Sequence, residues 1–532
     1  MLRITNFRVP LTDDTPLARL AAKRLKIPPR AVLEVVIVRK ALDARRKNNI
    51  NFVYSLDVTA DGPEGQILSR LAGDRDIAVA VRPVGESVEP GPAKLDWRPV
   101  VVGFGPAGMF AALTLTGYGY RPLVLERGRD VDRRVGDVTR FWQTGQLDLI
   151  SNVQFGEGGA GAFSDGKLTT RVQDPRIAEV LATLVDAGAP PEIKYLHKPH
   201  IGTDRLREVV KNIRRQIIAG GGEIEFEAQV TDIIVKDGRL SGVIINGVRQ
   251  LPCSVALFAL GHSARDTYAM LERRGVAMAG KAFAVGVRIE HPQEMIDRAQ
   301  YGRWAGHSKL GAADYALVYH AKDSGRTAYS FCMCPGGLVV AAASETGGVV
   351  TNGMSMYNRD SGVANSALVV NVGPADFGGR PLDGVEFQRH YEQLAFAAGG
   401  STYQAPAQTV ASFLTGRAGR RGCPVPPSYK PGVVFTDLRT CLPPFVATTL
   451  AGALPEFERK ITGFANSGAV MTGIETRTSA PLRLLRGDDY QSLNTGGFYP
   501  VGEGAGYAGG IISAALDGLN ASLTIIKKYR ND

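Results

Sequence analysis

The chain has 532 residues, of which 44% are hydrophobic, and a formal net charge of +10. This length suffices for about three domains. Five cysteines are too few, and odd in number, for a secreted disulfide framework. A charged first segment argues against a signal peptide, and the sequence has no uninterrupted run of about 18 apolar residues that could span a membrane. We therefore expect a cytoplasmic protein with reduced thiols.

The first region, residues 1–95, has the pattern of a small α/β unit. Its apolar runs predict strands at residues 2–9, 31–38, 50–58 and 77–84, and helices at residues 15–25 and 66–71. Two helices among four strands favour a ferredoxin-like sandwich. Residues 85–93 are predicted to form a linker.

The positive charge is concentrated in residues 1–50. Twelve Lys or Arg residues accompany four Asp or Glu residues there, so the other 482 residues carry only +2. Such a cluster could bind nucleic acid. No RNA-binding signature accompanies it, and a solvated face of a small domain is the favoured interpretation.

A glycine motif follows the apolar run of residues 100–102, which predicts a buried parallel strand. Gly103, Gly105 and Gly108 form G-x-G-x-x-G at the start of an apolar helix. In this motif the glycines permit a tight turn, leave room for a pyrophosphate and allow close packing of helix on strand. The next strand ends in Glu126, whose carboxylate can accept hydrogen bonds from ribose hydroxyls. The pattern predicts a dinucleotide-binding fold.

Two further glycine-rich stretches predict contacts with a larger cofactor. Residues 154–167 would let the backbone approach a flat ring and a diphosphate. Residues 502–510 precede a small-residue helix and would direct amide donors at an anion. The alternative is a mobile loop for the first stretch and a turn without a ligand for the second. Because an adenine half-site alone would not need these surfaces, the predicted dinucleotide is FAD.

The residues predicted to bind this cofactor lie in these motifs and in the turns after neighbouring strands. They are Gly103, Gly105, Pro106, Ala107, Gly108, Glu126, Arg127, Gly156, Gly158, Gly159, Ala160, Gly161, Ser164, Asp165, Lys167, Val230, Gly261, Gly502, Glu503, Ala505, Gly506, Gly509, Gly510 and Ile511.

The chain resembles a widespread family of bacterial and plastid FAD-dependent dehydrogenases, related by fold to the glutathione-reductase-type flavoproteins. The resemblance covers nearly the whole chain. It implies FAD binding and oxidoreductase activity but indicates no substrate. One serine of the family pattern is replaced here by Ala41. The matching stretches are residues 40–47, 154–167, 198–204, 281–292, 329–337, 351–355 and 475–479 and the closing glycine motif.

Two cysteines are candidate catalytic residues. Cys332 and Cys334 are two positions apart in a predicted strand, so both sulfurs would lie on one face and could act as a dithiol or a thiolate. Because the spacing is C-x-C rather than C-x-x-C, two small buried side chains are the favoured alternative.

Three further polar residues are candidates. Arg288 could bind a substrate carboxylate and His291 could act as an acid or base, with a structural ion pair and a satisfied polar histidine as the alternatives. Arg477 precedes the last cofactor strand, where domain junctions often line a cleft, and an interdomain salt bridge is its alternative. The seven histidines show no metal-ligand spacing, so no metal is predicted.

The predicted fold is α/β, with a ferredoxin-like α/β domain at residues 1–95 and a Rossmann-type FAD-binding domain at residues 96–275. An α+β substrate domain at residues 276–469 would be inserted before residues 470–532, which complete the FAD-binding domain. The favoured function is an FAD-dependent oxidoreductase, a dehydrogenase that transfers a hydride between a small-molecule substrate or transiently bound NAD(P)H and FAD. A flavin-dependent RNA-modifying enzyme that uses the basic N-terminal domain and a non-catalytic FAD-stabilised binding protein remain alternatives.

Overall fold

A computed structural model gives the architecture of the chain. It describes residues 1–71, 73–81, 88–418 and 426–531. Part of the last strand predicted in the N-terminal region, the first three residues of the predicted linker and Cys423 lie outside the described residues.

The N-terminal region forms an antiparallel sheet with two helices, in the sheet order β2-β3-β1-β4. The chain order is the β-α-β-β-α-β order of a ferredoxin-like sandwich. Strand β2 continues five residues beyond the predicted end at residue 38. The elements are β1 (Leu2–Pro10), α1 (Leu17–Leu25), β2 (Val32–Asp43), β3 (Asn51–Ala60), α2 (Glu64–Arg70) and β4 (Ile77–Val79).

The next region alternates strands and helices. Its elements are β5 (Val100–Val102), α3 (Pro106–Gly117), β6 (Leu123–Leu125), α4 (Val131–Thr144), α5 (Ile177–Asp186), α6 (Thr203–Ala219), β7 (Glu223–Glu225), β8 (Val230–Lys236), β9 (Arg239–Ile245), β10 (Arg249–Pro252), β11 (Ala256–Phe258) and α7 (Arg265–Arg273).

The rest of the chain contains most of the strands. Its elements are β12 (Met278–Gly280), β13 (Phe283–Pro292), α8 (Gln293–Tyr301), β14 (Val318–His320), β15 (Thr327–Cys334), β16 (Gly337–Ala341), β17 (Thr351–Ser355), β18 (Val363–Val372), α9 (Pro374–Phe377), α10 (Asp383–Ala398), β19 (Ala405–Thr409), α11 (Val410–Thr415), β20 (Val433–Phe435), α12 (Pro444–Lys460), β21 (Val470–Glu475), β22 (Leu482–Leu484), β23 (Phe498–Pro500) and α13 (Ile511–Lys528). Short 3-10 helices lie at Pro29–Ala31, Ala160–Phe163, Pro191–Lys194, Gly302–Trp304 and Leu438–Thr440.

A parallel sheet in the order β23-β11-β5-β6-β7 forms the centre of the second region. One face packs against α3, α6 and α13, and the other packs against α7 and the antiparallel sheet β8–β10. Because both faces are covered, the central strands are apolar and buried along their length. This mixed α/β layering is consistent with a Rossmann-type fold.

A seven-stranded sheet, ordered β14-β15-β18-β13-β21-β19-β20, forms the next body. Its central strand β13 pairs with β18 and β21 and is almost wholly buried. The sequence prediction assigned residues from 470 onward to the FAD-binding domain. Strand β21 instead lies in this sheet, because its six residues are buried and its backbone pairs with β13 and β19 on both sides.

The predicted linker is tied to the end of the chain. The backbone N–H of Gly91 donates to the carbonyl oxygen of Ile526 at 2.8 Å, and Ala93 pairs with the backbone of Lys528 and Arg530. The connection between the first two regions therefore packs on α13. Throughout the described ranges, none of the helices combines the length and apolar character needed to cross a membrane.

Candidate functional site

The predicted dinucleotide turn joins β5 to α3. Gly103 has a φ of +97°, which favours glycine, and a Cβ there would overlap the carbonyl oxygen of Ala259. A Cβ at Gly108 would overlap the carbonyl oxygen of Gly103, so α3 can approach β5 only without a side chain at this position. At Gly105 a Cβ would lie 3.6 Å from the Cα of Gly159. The turn therefore lies against the second glycine-rich stretch.

Two helix N-termini border one cavity of about 380 Å³. Helix α3 follows Gly105 and α13 follows Gly510, and no described side chain caps either helix. Both glycines, together with Pro106 and Ile511, line the cavity. Because free amide groups and the helix dipole favour negative charge, this part of the cavity suits a diphosphate.

Most residues predicted to bind a cofactor line this cavity. They are Gly103, Gly105, Pro106, Ala107, Glu126, Arg127, Gly156, Gly159, Ala160, Gly161, Ser164, Asp165, Lys167, Val230, Gly261, Gly502, Glu503, Gly509, Gly510 and Ile511.

Four predicted cofactor residues are placed in the supporting layer instead of on the wall. Gly108 packs on β5, and Gly158 lies against the side chains of Ala162 and Val210. Gly506 lies against the backbone of Leu482 and Arg483, and Ala505 is 1% exposed within the core. Their small size is needed for packing between elements rather than for an approach to the cavity.

Glu126 joins three segments of the cavity wall. Its Oε2 accepts a hydrogen bond from the backbone N–H of Phe104 at 2.7 Å. Its Oε1 accepts from the backbone N–H groups of Gly128 and Gly156, at 2.9 and 3.0 Å. The carboxylate that was predicted to meet a ribose therefore also fixes the glycine turn and the loop at residues 154–167.

Arg134, which sequence reasoning missed, supports the same loop. Its fully buried guanidinium donates to the carbonyl oxygens of Asn152, Val153 and Glu157 at 2.7–2.9 Å. Burial lowers the pKa of Arg134 to about 9. The arginine lies in the charged helix α4, where nothing in the local pattern separates it from its exposed neighbours.

Residues of the seven-stranded sheet form another part of the wall. Phe331 and Cys332 of β15 line the cavity, together with Asn352 of β17, which pairs with β16 in a separate two-stranded sheet. Cys332 has a φ of +43°, and a bulge between Phe331 and Cys334 interrupts the pairing of β15 with β18. Because a bulge breaks the alternation of side chains, only Cys332 of the two predicted sulfurs reaches the wall, and Cys334 is buried behind it.

Arg288 is placed behind Cys332 and not on the cavity wall. Its buried guanidinium pairs with Glu475, with Nε 3.0 Å from Oε2, and donates to the carbonyl oxygen of Cys332 at 2.9 Å. Burial opposes its charge, yet Glu475 raises the pKa of Arg288 above its ordinary value. Glu475 therefore occupies the position predicted for a substrate carboxylate, and Arg288 positions the backbone of Cys332.

Arg477 lines the cavity within a buried ion network. Its guanidinium pairs with both oxygens of Glu392, at 3.0 and 2.9 Å, and donates to the hydroxyl of Ser263 at 3.0 Å. Arg265 pairs with the same carboxylate at 2.7 and 2.8 Å. Because α7, α10 and the segment after β21 meet at Glu392, this network holds the two main sheets together.

His291 is placed away from the cavity. Its Nε2 lies 2.8 Å from the carbonyl oxygen of Phe464, and burial lowers the pKa of the imidazole to about 4. A neutral, buried histidine with a backbone partner matches the structural alternative considered from the sequence. Unlike Cys332 and Arg477, it does not line the cavity.

Other wall residues were not singled out by any sequence motif. Ala228 and Gln229 follow β7 at the carboxyl edge of the parallel sheet, where ligands of such folds bind, so their position after a strand was an available signal. Leu125, Val501 and Ala514 adjoin the predicted glycine motifs and the acidic strand end, so their positions were also available signals, whereas Thr169 and Thr267 carried none.

Burial alters the proton affinity of Glu503 and His262 on the wall. Burial raises the pKa of Glu503 to about 7, against the opposing charge of Lys281. Burial, together with Arg477 and Arg265, lowers the pKa of His262 to about 3. At neutral pH the carboxyl group can therefore exchange a proton, whereas the imidazole stays neutral. Among the described residues, no group of three or more His, Cys, Asp or Glu side chains could hold a metal ion.

Several basic residues of the N-terminal region have acidic partners. Arg3 pairs with Asp57 at 2.7 Å, Arg8 and Arg45 pair with Asp43 at 2.9 and 2.8 Å, and Arg24 pairs with Asp74. Partial neutralisation of this kind is typical of a solvated face. Nucleic-acid binding by this region stays a prediction.

Comparison with known proteins gives two matches to family models, one in the second half of the chain and one at its start. Residues 282–478 match a family model described as "FAD-dependent protein, C-terminal domain-like", and residues 1–59 match one described as a domain of unknown function. Similar solved structures include the flavin-dependent brominase Bmp2, with 14% identity over 80% of this chain and 78% of that chain and a TM-score of 0.36. Another is CtdE in complex with FAD, with 13% identity over 81% of this chain and 84% of that chain and a TM-score of 0.32.

A relative from Clostridium beijerinckii covers nearly the whole length. This protein, described as "Uncharacterized protein", is 52% identical over 530 residues, which are 99% of each chain. The match to the FAD-dependent domain supports FAD as the cofactor of this chain. The chain belongs to the same family as this Clostridium beijerinckii protein, and the domain match supports placing the family among the flavoproteins.

Proposed function

We propose that the protein is an FAD-dependent oxidoreductase that transfers a hydride between an unidentified substrate, or transiently bound NAD(P)H, and FAD. One observation carries this proposal. The cavity that two uncapped helix N-termini border also contains a thiol, an amine and carboxyl groups from three different parts of the chain. A cleft that bound only adenine would not need the thiol, the amine and the carboxyl groups.

The residues of the cavity fit the parts of FAD. The glycine surfaces around Gly105 and Gly159 approach each other closely enough that side chains would obstruct the space between them. They would hold the diphosphate together with the start of α13, while Glu126 and Gln229 would lie near the adenosine. When bound, FAD supplies the capacity to accept and return a hydride.

The chain's own side chains would serve substrate binding and proton transfer. The amide of Asn352, on β17, offers hydrogen-bonding groups on the wall, whereas the hydroxyl of Thr478 on the same wall already pairs with the backbone of Ala284. Glu503 can hold or release a proton near neutral pH because burial raises its pKa. Lys167 adds a positive charge to the same wall, which suits an anionic substrate.

Anaerobic rapid mixing of the FAD-loaded protein with NADH, NADPH and a panel of organic reductants tests the proposal. We expect at least one of them to remove the absorbance of oxidised flavin. Dithionite provides the control, because it shows that the bound flavin can be reduced at all. A flavin that responds to dithionite but to no member of the panel would contradict the proposal and favour an FAD-stabilised binding protein.

A further inference from the structure

A pair of thiols lies where the seven-stranded sheet meets the cavity. The bulge in β15 and the positive φ of Cys332 turn this residue towards the cavity wall, while Cys334 stays buried. The Sγ of Cys334 lies 3.3 Å from the carbonyl oxygen of Cys332. The thiol of Cys334 therefore lies against the backbone of Cys332.

Two cations from other elements lie beside this pair. Arg288 reaches it from β13, with Nη1 4.0 Å from the Sγ of Cys334 and 2.9 Å from the carbonyl oxygen of Cys332. Lys167, from the glycine-rich loop, lines the same cavity and pairs with Asp165 at 3.6 Å. Burial disfavours the charge of Lys167, but its interactions with the two cysteines and with Asp165 raise its pKa.

The two thiols are set apart in acidity. A hydrogen bond between the two side chains lowers the pKa of Cys332 well below its usual range, and the charges of Lys167 and Arg288 act in the same direction. The same hydrogen bond and burial raise the pKa of Cys334. One thiolate beside one thiol is the arrangement from which a disulfide forms most readily.

We propose that Cys332 and Cys334 form a redox-active pair that exchanges two electrons with FAD bound in the cavity. This inference rests on the proposed function, since FAD is the electron acceptor. Neither the glycine motifs nor the FAD-dependent domain match assigns a role to these cysteines.

The step balances in atoms and charge. The Cys332 thiolate and the Cys334 thiol form one S–S bond while the S–H bond of Cys334 breaks. Two electrons and one proton leave the pair, and oxidised FAD takes up both electrons and the proton. In the reverse direction the disulfide receives the same electrons and proton, so the pair can pass reducing equivalents either way.

Reductive titration of the FAD-loaded protein tests the proposal without an assay of turnover. The protein is first oxidised with oxidised glutathione, freed of reagent and titrated anaerobically with dithionite. We expect four electrons to be taken up per bound FAD, two by the flavin and two by the disulfide. Cys332→Ser and Cys334→Ser are each expected to take up two. Cys441 is buried, and its thiol donates a hydrogen bond to the carbonyl oxygen of Leu438. The matched control Cys441→Ser is therefore expected to take up four electrons.

Peptide mapping of the unmodified chain provides a second readout that needs no variant. After oxidation and alkylation, the peptide that contains both cysteines should lack two hydrogens and carry no alkyl group. After reduction it should carry two alkyl groups. Uptake of only two electrons by the wild-type chain, or a peptide that stays alkylated after oxidation, would overturn the pair.

The two proposals fail in different ways. If NADH or another reductant reduces the flavin while the two thiols stay unreactive, only the proposal of the redox-active cysteine pair is overturned. A chain that forms the Cys332–Cys334 disulfide but binds no FAD would overturn both the proposed function and the transfer of electrons to FAD.

Discussion

Lys167 is the wall residue whose charge acts most directly on the thiols. Replacing it in Lys167→Met removes a positive charge beside Cys332, so the pKa of that thiol should rise. The alkylation rate of Cys332 by iodoacetamide, measured against pH, reports this change. We expect the midpoint of this profile to move to higher pH by about one unit, so that the thiolate fraction falls about tenfold at pH values below the midpoint.

Lys198→Met is the matched control for this change. Lys198 is exposed and pairs with Asp314 at 2.8 Å, away from the cavity. The alkylation profile of Cys332 in this variant should therefore follow that of the wild type. An unchanged profile in Lys167→Met would show that the lysine does not act on Cys332.

Glu290 makes the stability of the fold depend on pH. Its Oε1 accepts hydrogen bonds from Ser428, while Oε2 is buried without a partner among the described residues. Burial raises the pKa of this carboxyl to about 7, whereas an unfolded glutamate titrates near about 4.3. The folded state therefore binds more protons between these values, and its stability falls as pH rises through them.

In Glu290→Gln this decline should disappear. In urea unfolding, the free energy of unfolding of the wild type should fall by roughly 3 kcal/mol more than that of the variant between about pH 4.5 and pH 8. Glu294→Gln, at an exposed ion pair with Arg298, should follow the wild type. A variant whose pH dependence equals that of the wild type would place the titration on another group.

Sequence reasoning worked best at residues whose chemistry is local. Gly103 and Gly105 could be predicted because a turn between a strand and a helix requires them within a few positions. Arg134 and Glu392 could not, because their partners come from distant segments or from ordinary backbone carbonyls. Arg288 was noticed, but its role changed because Glu475, 187 positions away, occupies its guanidinium.

At the scale of elements, the start of α13 is the feature whose charge can be altered with least disturbance. A side chain at Gly509 would meet open space within 4 Å, and Gly509 lines the cavity. Gly509→Asp would place a carboxylate where the helix N-terminus attracts a diphosphate. We expect the dissociation constant for FAD to rise about tenfold or more in a fluorescence titration.

Gly136→Asp is the matched control, since a side chain there also meets open space but lies on α4 outside the cavity wall. Its affinity for FAD should equal that of the wild type. Equal weakening in both variants would show that the effect arises from added charge in general and not from the start of α13.

Buried apolar strands of the parallel sheet were predictable as elements. Strands β5 and β6 lie where the apolar run before the glycine turn and the strand ending at Glu126 were predicted. Residues 470–475 were assigned to the FAD-binding domain, but they form β21, whose pairing with β13 and β19 in the seven-stranded sheet has no signal in its buried apolar run. The bulge in β15 had no sequence signal, since it arises from the pairing with β18.

At the scale of the whole molecule, the cavity depends on regions far apart in the chain. The parallel sheet contributes the glycine turns, the seven-stranded sheet contributes Cys332, β17 contributes Asn352, and α13 closes the wall from the last residues. The segment around Gly91 packs on the end of α13. A ligand that touches all these parts should bind the folded state alone and stabilise it by mass action.

The central claim is that this cavity binds FAD. Isothermal titration of the nucleotide-free, folded protein with FAD measures it most directly. We predict saturable binding of one FAD per chain, with stabilisation of about 2.7 kcal/mol when free FAD is 100 times its dissociation constant. A chain that is folded by circular dichroism and takes up no FAD in this titration would contradict the claim.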